Sequence, residues 1–265
     1  MTSSSKRVIK MSNFYSHYIE FLEIVAIVFF LNIVGFVETK DNYGVPPEIS
    51  IVIPQLNDLS PKPKSWESFQ QLTDVLLLVV YNDELLSFYT FLRNVFSSYI
   101  KELGLVYFGE IGDGSKMVKI SLVRSSSGST AAQNVVRTAI VVLKPKAIFS
   151  VGCCAGLRRE QAKLGDVVIS GKLSTCGDKI IVNDKPQWDG RRLDVSTKIG
   201  RLMMSAGDGW RPELKDPEAR DVKLHCNAEI VSGAKLVNCP NECEHLLRQF
   251  PEAIANETEG QGEWY

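Results

Sequence analysis

From Asp74 onward the chain switches between two hydrophobic rhythms. DVLLLVV (74–80) is a continuous apolar run, the pattern of a strand buried on both faces. In ELLSFYTFLRNVFSSYIKEL (84–103), apolar residues at 85, 86, 88, 89, 92, 95, 96 and 99 make a broad stripe at helical spacing. KMVKISLVR (116–124) reads as a strand. TAAQNVVRTAIVVL (130–143) reads as a helix that ends before Lys144-Pro145. AIFSVG (147–152) is a second buried strand, and DVVIS (166–170), KIIVN (179–183) and AEIVS (228–232) are short and β-branched. ECEHLLRQF (242–250) reads as a short helix and EAIANE (252–257) as a final strand. Strands alternating with helices of this length predict an α/β domain: three layers, with a central mixed, mostly parallel sheet flanked by helices. Ligands in such domains bind outside the carboxyl ends of the strands, so the chemistry is sought there.

The pattern upstream is different. Residues 38–73 hold five prolines, in VPPEIS, IPQLN and LSPKPKSW, and show little periodicity of either kind. They read as a linker. Residues 1–37 read as an extension. It opens with the basic SKRVIK and continues into FLEIVAIVFFLNIVGFV (21–37). That 17-residue run is short of the roughly 20 apolar residues of a bilayer span and contains Glu23 and Asn32. A buried helix, a weak membrane anchor and the product of a misassigned exon all fit it. No clear small-residue cleavage site follows, as a secretory leader would require. Membrane attachment through 21–37 is therefore the minority expectation, with secretion beside it, and the cytoplasm the main one.

Bulk charge narrows the partners. A formal net charge of −1 supplies no broad basic field, so nucleic acid is not an expected partner. Six cysteines with no Cys-x-x-Cys do not make a disulfide scaffold in a chain of this length. The nearest approach to a metal set is His225-Cys226 with Cys239, Cys243 and His245. Its Cys-x3-Cys spacing is not a standard zinc knuckle, and unrelated thiols in a reduced cytosol explain it more simply. No metal and no organic cofactor is expected.

Three strand ends then stand out. VYNDELL (80–86) puts Asn82 where an N-cap belongs and Asp83 and Glu84 in the first helical turn. Acidic residues there complement the helix dipole, or one of them projects into a cleft. RSSSGSTAA (124–132) is either a Ser/Thr helix cap or an anion-holding turn; it lacks the Gly-Lys-Ser/Thr of a phosphate loop. VGCCAGLRREQAKLGDVVIS (151–170) brackets three small residues between Gly152 and Gly156, as in a turn that a flat ligand can approach, and leads to a strand opening with Gly165-Asp166.

The series VGCCAGL, GDVVIS, AEIVSGAKLVN (228–238) and FPEAIANETEG (250–260), in that order, resembles the nucleoside phosphorylase superfamily, and within it methylthioadenosine/S-adenosylhomocysteine nucleosidase. The resemblance covers 74–265 and not 1–73. It implies cleavage of a purine nucleoside N-glycosidic bond through an oxocarbenium-like transition state, with water as nucleophile. Glu84 matches the carboxylate that activates the water. Glu259 matches the carboxylate that holds the ribose hydroxyls, Glu257 the glutamate before it, and Thr258 stands where the family has methionine. Leu236 and Val237 match the base-pocket pair, without the family's usual phenylalanine. Cys153, Cys154 and Ala155 replace Ser-Ala-Gly of the glycine turn, and Ala155 fits only if the backbone there has negative φ. Phosphorolysis is the less favoured branch. Ser150 occupies the place of the phosphate-binding arginine of bacterial uridine phosphorylases, although Arg124 near the next loop could substitute.

Beyond Glu-Met-Glu the family continues through a helix and a strand ending in Ser-Asp, whose Asp protonates the departing purine, and then a closing helix. Six residues follow Glu259 here. The expectation is a C-terminally incomplete domain without the last strand and helices. Its catalysis would then lack a general acid ordinarily worth ~10²–10⁴-fold. A non-catalytic nucleoside-binding module is the rival reading. A purine nucleoside is the expected small-molecule partner, and a homo-oligomer is implied by the resemblance.

Overall fold

The computed structural model describes residues 28–35, 47–69, 73–112, 116–158, 160–176, 179–182, 185–188, 191–195, 197–216, 218, 221–233 and 240–258. Leu236, Val237 and Glu259 lie outside the described residues, as does the apolar run before Val28. In chain order the elements are β1 (Val28–Gly35), β2 (Lys62–Pro63), α1 (Trp66–Phe69), β3 (Val75–Val79), α2 (Asn82–Tyr89), β4 (Arg93–Ile100), β5 (Gly104–Gly112), β6 (Met117–Arg124), α3 (Ser129–Val142), β7 (Ala147–Gly156), β8 (Val167–Cys176), β9 (Lys179–Val182), β10 (Lys185–Trp188), β11 (Arg192–Asp194), α4 (Thr197–Ala206), β12 (Leu224–Gly233), α5 (Pro240–Gln249) and β13 (Ala253–Glu257). This is the expected α/β arrangement: a mixed sheet, parallel through its centre, with flanking helices. Among the described residues, one compact unit takes Val52–Ser126 and Asn134–Val151. A second takes Phe29–Ile51, Ser127–Gln133 and the residues from Gly152 on.

In the first unit the strand order is β7–β3–β6–β5–β4–β2. The apolar run DVLLLVV becomes β3, parallel to both β6 and β7, and all five of its residues are buried. Burying each of Leu76, Leu77 and Leu78 contributes about 1.5–3 kcal/mol against leaving it in water. Polar groups at its entry are paired, as burial demands: the Thr73 and Ser121 hydroxyls lie 2.6 Å apart.

The single helix expected over 84–103 is corrected. α2 stops at Tyr89, and Arg93–Ile100 is β4, antiparallel to β5. Asn94 takes φ 53, a left-handed conformation that ends any helix. Beyond it Phe96, Ser98 and Ile100 share a buried face while Tyr99 is exposed. The apolar positions at 92, 95, 96 and 99 satisfy a helical count, but strand alternation and pairing with β5 prevail. Residues 62–69, read as linker, extend this edge. β2 pairs parallel with β4, Trp66 stacks on Phe108 at 5.9 Å, and Phe96 stacks on Phe108 at 5.2 Å. Lys64 Nζ stands 3.8 Å above the Phe96 ring.

In the second unit the order is β1–β8–β12–β13–β7, with β11 also pairing β8. β12 runs parallel to β8 and β13, and the last residues of β7 run antiparallel to β13. Residues 28–35 of the apolar run are not helical. They form β1, antiparallel on β8 with Leu31 opposite Ile169. VFFLNIVG is rich in β-branched and aromatic residues, and an open ladder on β8 suits them better than a helix. Among the described residues no helix is long and apolar enough to cross a membrane. DVVIS and AEIVS are the cores of longer strands, and KIIVN supplies one arm of the β9–β10 hairpin.

Candidate functional site

Two constellations lie at strand ends, one in each unit. In the first, β3 and β6 finish together, with Val79 opposite Arg124 as their last register pair, and the Ser125 amide donates to the Val79 carbonyl at 2.8 Å. The chain then turns into α2. Its N-cap is Tyr81, not Asn82 as expected from the sequence; Tyr81 has extended angles and Asn82 is the first helical residue. The Asn82 side-chain Oδ1 accepts a hydrogen bond from Arg124 Nη1 instead of capping the helix. Glu84 stands at the third helical position. Its Oε2 accepts from the Val80 amide at 2.8 Å and the Tyr81 amide at 2.9 Å. These are charge-assisted bonds to two N–H groups that a helix start leaves unsatisfied, so Glu84 caps α2. The two bonds also fix the carboxylate at the carboxyl end of β3. Beside this end Tyr107 packs edge-on against Tyr89 at 5.6 Å. Burial pushes the Tyr107 phenol up, and the nearby Arg124 charge opposes that shift.

The second constellation is at the carboxyl ends of β8, β12 and β13, where Thr175 and Cys176 face Ser232 and Gly233, and Ser232 faces Glu257 in register. Glu257 is 2 % exposed and Asn256 fully buried, with Asn256 Nδ2 donating to the Val231 carbonyl at 3.1 Å. The segment expected as a glycine turn is instead the last part of β7. Ala155 and Gly156 pair with Asn256 and Ala255, and neither Gly152 nor Gly156 has positive φ. Ala155 has negative φ and sits without strain, the condition the sequence reading set for it.

Strand alternation exposes Cys153 and buries Cys154. Burial drives the Cys154 thiol well up, with Cys153 and the Glu257 carboxylate adding to the effect. Cys176, against which a Cβ on Gly233 would press at 2.3 Å, is raised to about 11, chiefly by burial and again helped by Glu257. Glu257 is thus flanked by two neutral thiols. Thr258 follows it half-buried. Cys154, Ala155 and Glu257 are brought together. Glu84 belongs to the first unit.

The most specific motif of the resemblance, Gly165-Asp166, is architectural. Gly165 has φ +94, and a Cβ there would meet Pro47 Cγ at 2.5 Å. Asp166 is 1 % exposed. Its Oδ2 accepts from the Lys163 amide and lies 2.9 Å from His225 Nε2, and its Oδ1 accepts from the Lys223 amide at 2.9 Å. One carboxylate therefore ties the loop before β8 to the start of β12. His225, weighed as a zinc ligand, faces Asp166 instead; Cys239 lies outside the described residues, and among those described no three His, Cys, Asp or Glu side chains converge. A second buried carboxylate, Glu229, accepts from Ser174 Oγ and pairs with Arg192 Nη2, both at 2.5 Å. Reading the sequence missed this pair. Its one signal was a charged residue inside the β-branched segment AEIVS.

The fold is that of an α/β domain with carboxylates at its strand ends. The chain belongs to the phosphorylase superfamily, whose family model matches residues 90–263. A "Death domain-containing ATP nucleosidase" of Amphimedon queenslandica is 27% identical over 175 residues, which are 59% of this chain and 32% of that protein. The chain thus spans about a third of the length of that curated relative. Among solved structures, the 5'-methylthioadenosine/S-adenosylhomocysteine nucleosidase of Neisseria meningitidis, in complex with methylthio-immucillin-A, superposes with TM-score 0.52 at 20% identity, covering 71% of this chain and 76% of that one. S-adenosylhomocysteine nucleosidase of Streptococcus pyogenes gives 0.55 at 16%, with 72% and 76% covered. Futalosine hydrolase of Helicobacter pylori gives 0.55 at 14%, with 72% and 77% covered. At these identities the likeness is one of fold.

Proposed function

We propose that this chain hydrolyses the N-glycosidic bond of an adenine nucleoside, with methylthioadenosine and S-adenosylhomocysteine as reference substrates. Water is the nucleophile and Glu84 its activator. Glu259 clamps the ribose hydroxyls, with Glu257 and Thr258 beside it. Cys153, Cys154, Ala155, Leu236 and Val237 line the base. The observation that carries the reading is Glu84, a carboxylate fixed at the carboxyl end of a buried parallel strand by two backbone amides. Membership of the superfamily supports it, as do the names of two of the relatives, the ATP nucleosidase and the 5'-methylthioadenosine/S-adenosylhomocysteine nucleosidase.

A non-catalytic nucleoside-binding module is the second reading. The same observation favours it: the two amide bonds give the Glu84 carboxylate a capping role that needs no chemistry. Incubation with methylthioadenosine, S-adenosylhomocysteine and ATP, followed by chromatographic assay of adenine, separates the two. Hydrolysis predicts adenine release that falls by ~10²–10⁴-fold in Glu84→Gln, the usual worth of a general base. Glutamine keeps a carbonyl oxygen for the two amides, so the variant folds. Binding without release selects the module, and neither binding nor release rejects the ligand class. A homo-oligomer is part of the same proposal and is checked by light scattering.

A further inference from the structure

We infer that Arg158 is a positioning residue for β13: its guanidinium clamps the entry of that strand and so fixes the register in which Glu257 and Thr258 reach the carboxyl end of the sheet. The inference rests on the reading above only for the ligand, a nucleoside. β13 is five residues long and pairs with β12 on one side and the last part of β7 on the other. Its ladder with β12 starts irregularly. Ala253 is opposite Glu229 and Ala255 opposite Ile230, so Ile254 is an extra residue; beyond it the pairing runs evenly to Ser232 opposite Glu257. Side chains alternate along a strand, so a slip of one residue would put Asn256 or Thr258 where Glu257 now stands beside Ser232.

On the β7 side, Ala155 and Gly156 pair with Asn256 and Ala255, and the Leu157 amide donates to the Ile254 carbonyl at 2.8 Å. The next residue continues the ladder with its side chain. Arg158 Nε donates to the Ala253 carbonyl at 3.3 Å, and Nη2 donates to the Pro251 carbonyl. The planar guanidinium gives both bonds in one fixed geometry. They straddle Glu252, the last residue before the strand. Glu252 is itself 2.9 Å from Lys172 Nζ and 3.7 Å from Arg192 Nη2, but its side chain is 64% exposed, so water screens those pairs and they hold the entry less firmly. Arg158 is half-buried, and its bonds run to main-chain oxygens, whose positions are the register itself.

The test is amide hydrogen exchange read by mass spectrometry on the full chain, with calorimetric titration of methylthioadenosine on the same samples. In Arg158→Met, exchange across residues 253–257 should quicken at least ~tenfold, the scale of one charge-assisted bond, while β8 at 167–176 keeps its protection. Methylthioadenosine affinity should fall at least ~tenfold with it. Arg158→Lys, which retains one charged donor, should lie between the two. Lys215→Met, which breaks the exposed Lys215–Glu48 pair in the same unit, should change neither readout. Should Arg158→Met not fold, Glu252→Gln is the milder variant and should quicken exchange at 253–257 by a smaller factor. A uniform loss of protection over the second unit, as a merely stabilising contact would give, overturns the inference, and so does unchanged exchange at 253–257. Faster exchange there with unaltered affinity, in a chain that binds methylthioadenosine, overturns it too. A parent chain that binds no methylthioadenosine rejects the nucleoside reading instead, and the exchange result alone then decides on Arg158.

Discussion

Replacing Asp166 tests whether the Gly-Asp motif works as a staple. In Asp166→Ala the amides of Lys163 and Lys223 lose their acceptor inside the protein, while His225, on the partly exposed side, can turn to water. Each stranded, part-buried donor costs up to about 1–3 kcal/mol, and relief of the carboxylate's own desolvation offsets part of the sum. The net expectation is a loss of about 2–4 kcal/mol, a large share of the ~5–15 kcal/mol that holds an ordinary domain together. At ~2–4 °C per kcal/mol for a chain of this size, melting should fall by roughly 4–16 °C. Asp166→Asn should fall in the same range, because one acceptor oxygen becomes an NH₂ group that faces other donors. His225→Phe removes one of the three partners and should cost clearly less. The assay is urea unfolding followed by far-UV circular dichroism, with amide exchange at Lys163 and Lys223 as the local readout. If Asp166→Ala stays within 0.5 kcal/mol of the parent chain, or the two amides keep their protection, the staple argument is wrong.

Other outcomes follow from the same contacts. Arg192→Met should cost about 2 kcal/mol by leaving the Glu229 carboxylate with Ser174 alone, below the usual ~3–5 because the arginine side chain is 50% exposed; Glu229→Gln in the same chain should restore most of it in urea melts. Gly233→Ala drives a Cβ to 2.3 Å from Cys176 Sγ and should cost about 1–3 kcal/mol, and Cys176→Ala should rescue it; absence of rescue would point to a backbone effect. Iodoacetamide at pH 8 should label exposed Cys153 well before Cys176, whose thiolate fraction at a pKa of about 11 is only ~10⁻³, with peptide mass mapping as the readout. Because that folded value lies above the ~8.5 of an unfolded thiol, the stability tied to the Cys176 proton is complete below about pH 8.5 and is lost as pH rises toward 11. The difference in urea midpoint between the parent chain and Cys176→Ala should therefore shrink between pH 7.5 and 10.5.

What the sequence disclosed followed the strength of each periodicity. β3 was legible because a run of five buried residues fits a strand between two parallel neighbours. α3 was legible because a 14-residue helix with an apolar stripe stops shortly before Pro145. β4 was not, because its apolar positions fit a helix as well as a strand, and the evidence that decides lies in β5, Asn94 and the Trp66–Phe108–Phe96 stack. Periodicity within one segment does not carry information about the partner strand, so local ambiguity of this kind is resolved only by pairing.

The site divides along the same line. Positions set by local geometry were readable: Glu84 in a first helical turn, and Glu257 at a strand end beside a buried Asn. Roles set by who meets whom were not. Asn82 was expected as a cap, and only the structure pairs its oxygen with Arg124, leaving Tyr81 to cap and Glu84 to satisfy the orphan amides. Asp166 and Glu229 carry the same charge in the same unit, yet one binds backbone donors and a histidine while the other neutralises an arginine. A carboxylate's type and spacing therefore nominate it for chemistry, and its partners decide. A residue held wholly by its own fold, like Asp166, is architectural. One held only through part of its donor or acceptor set keeps capacity for a ligand.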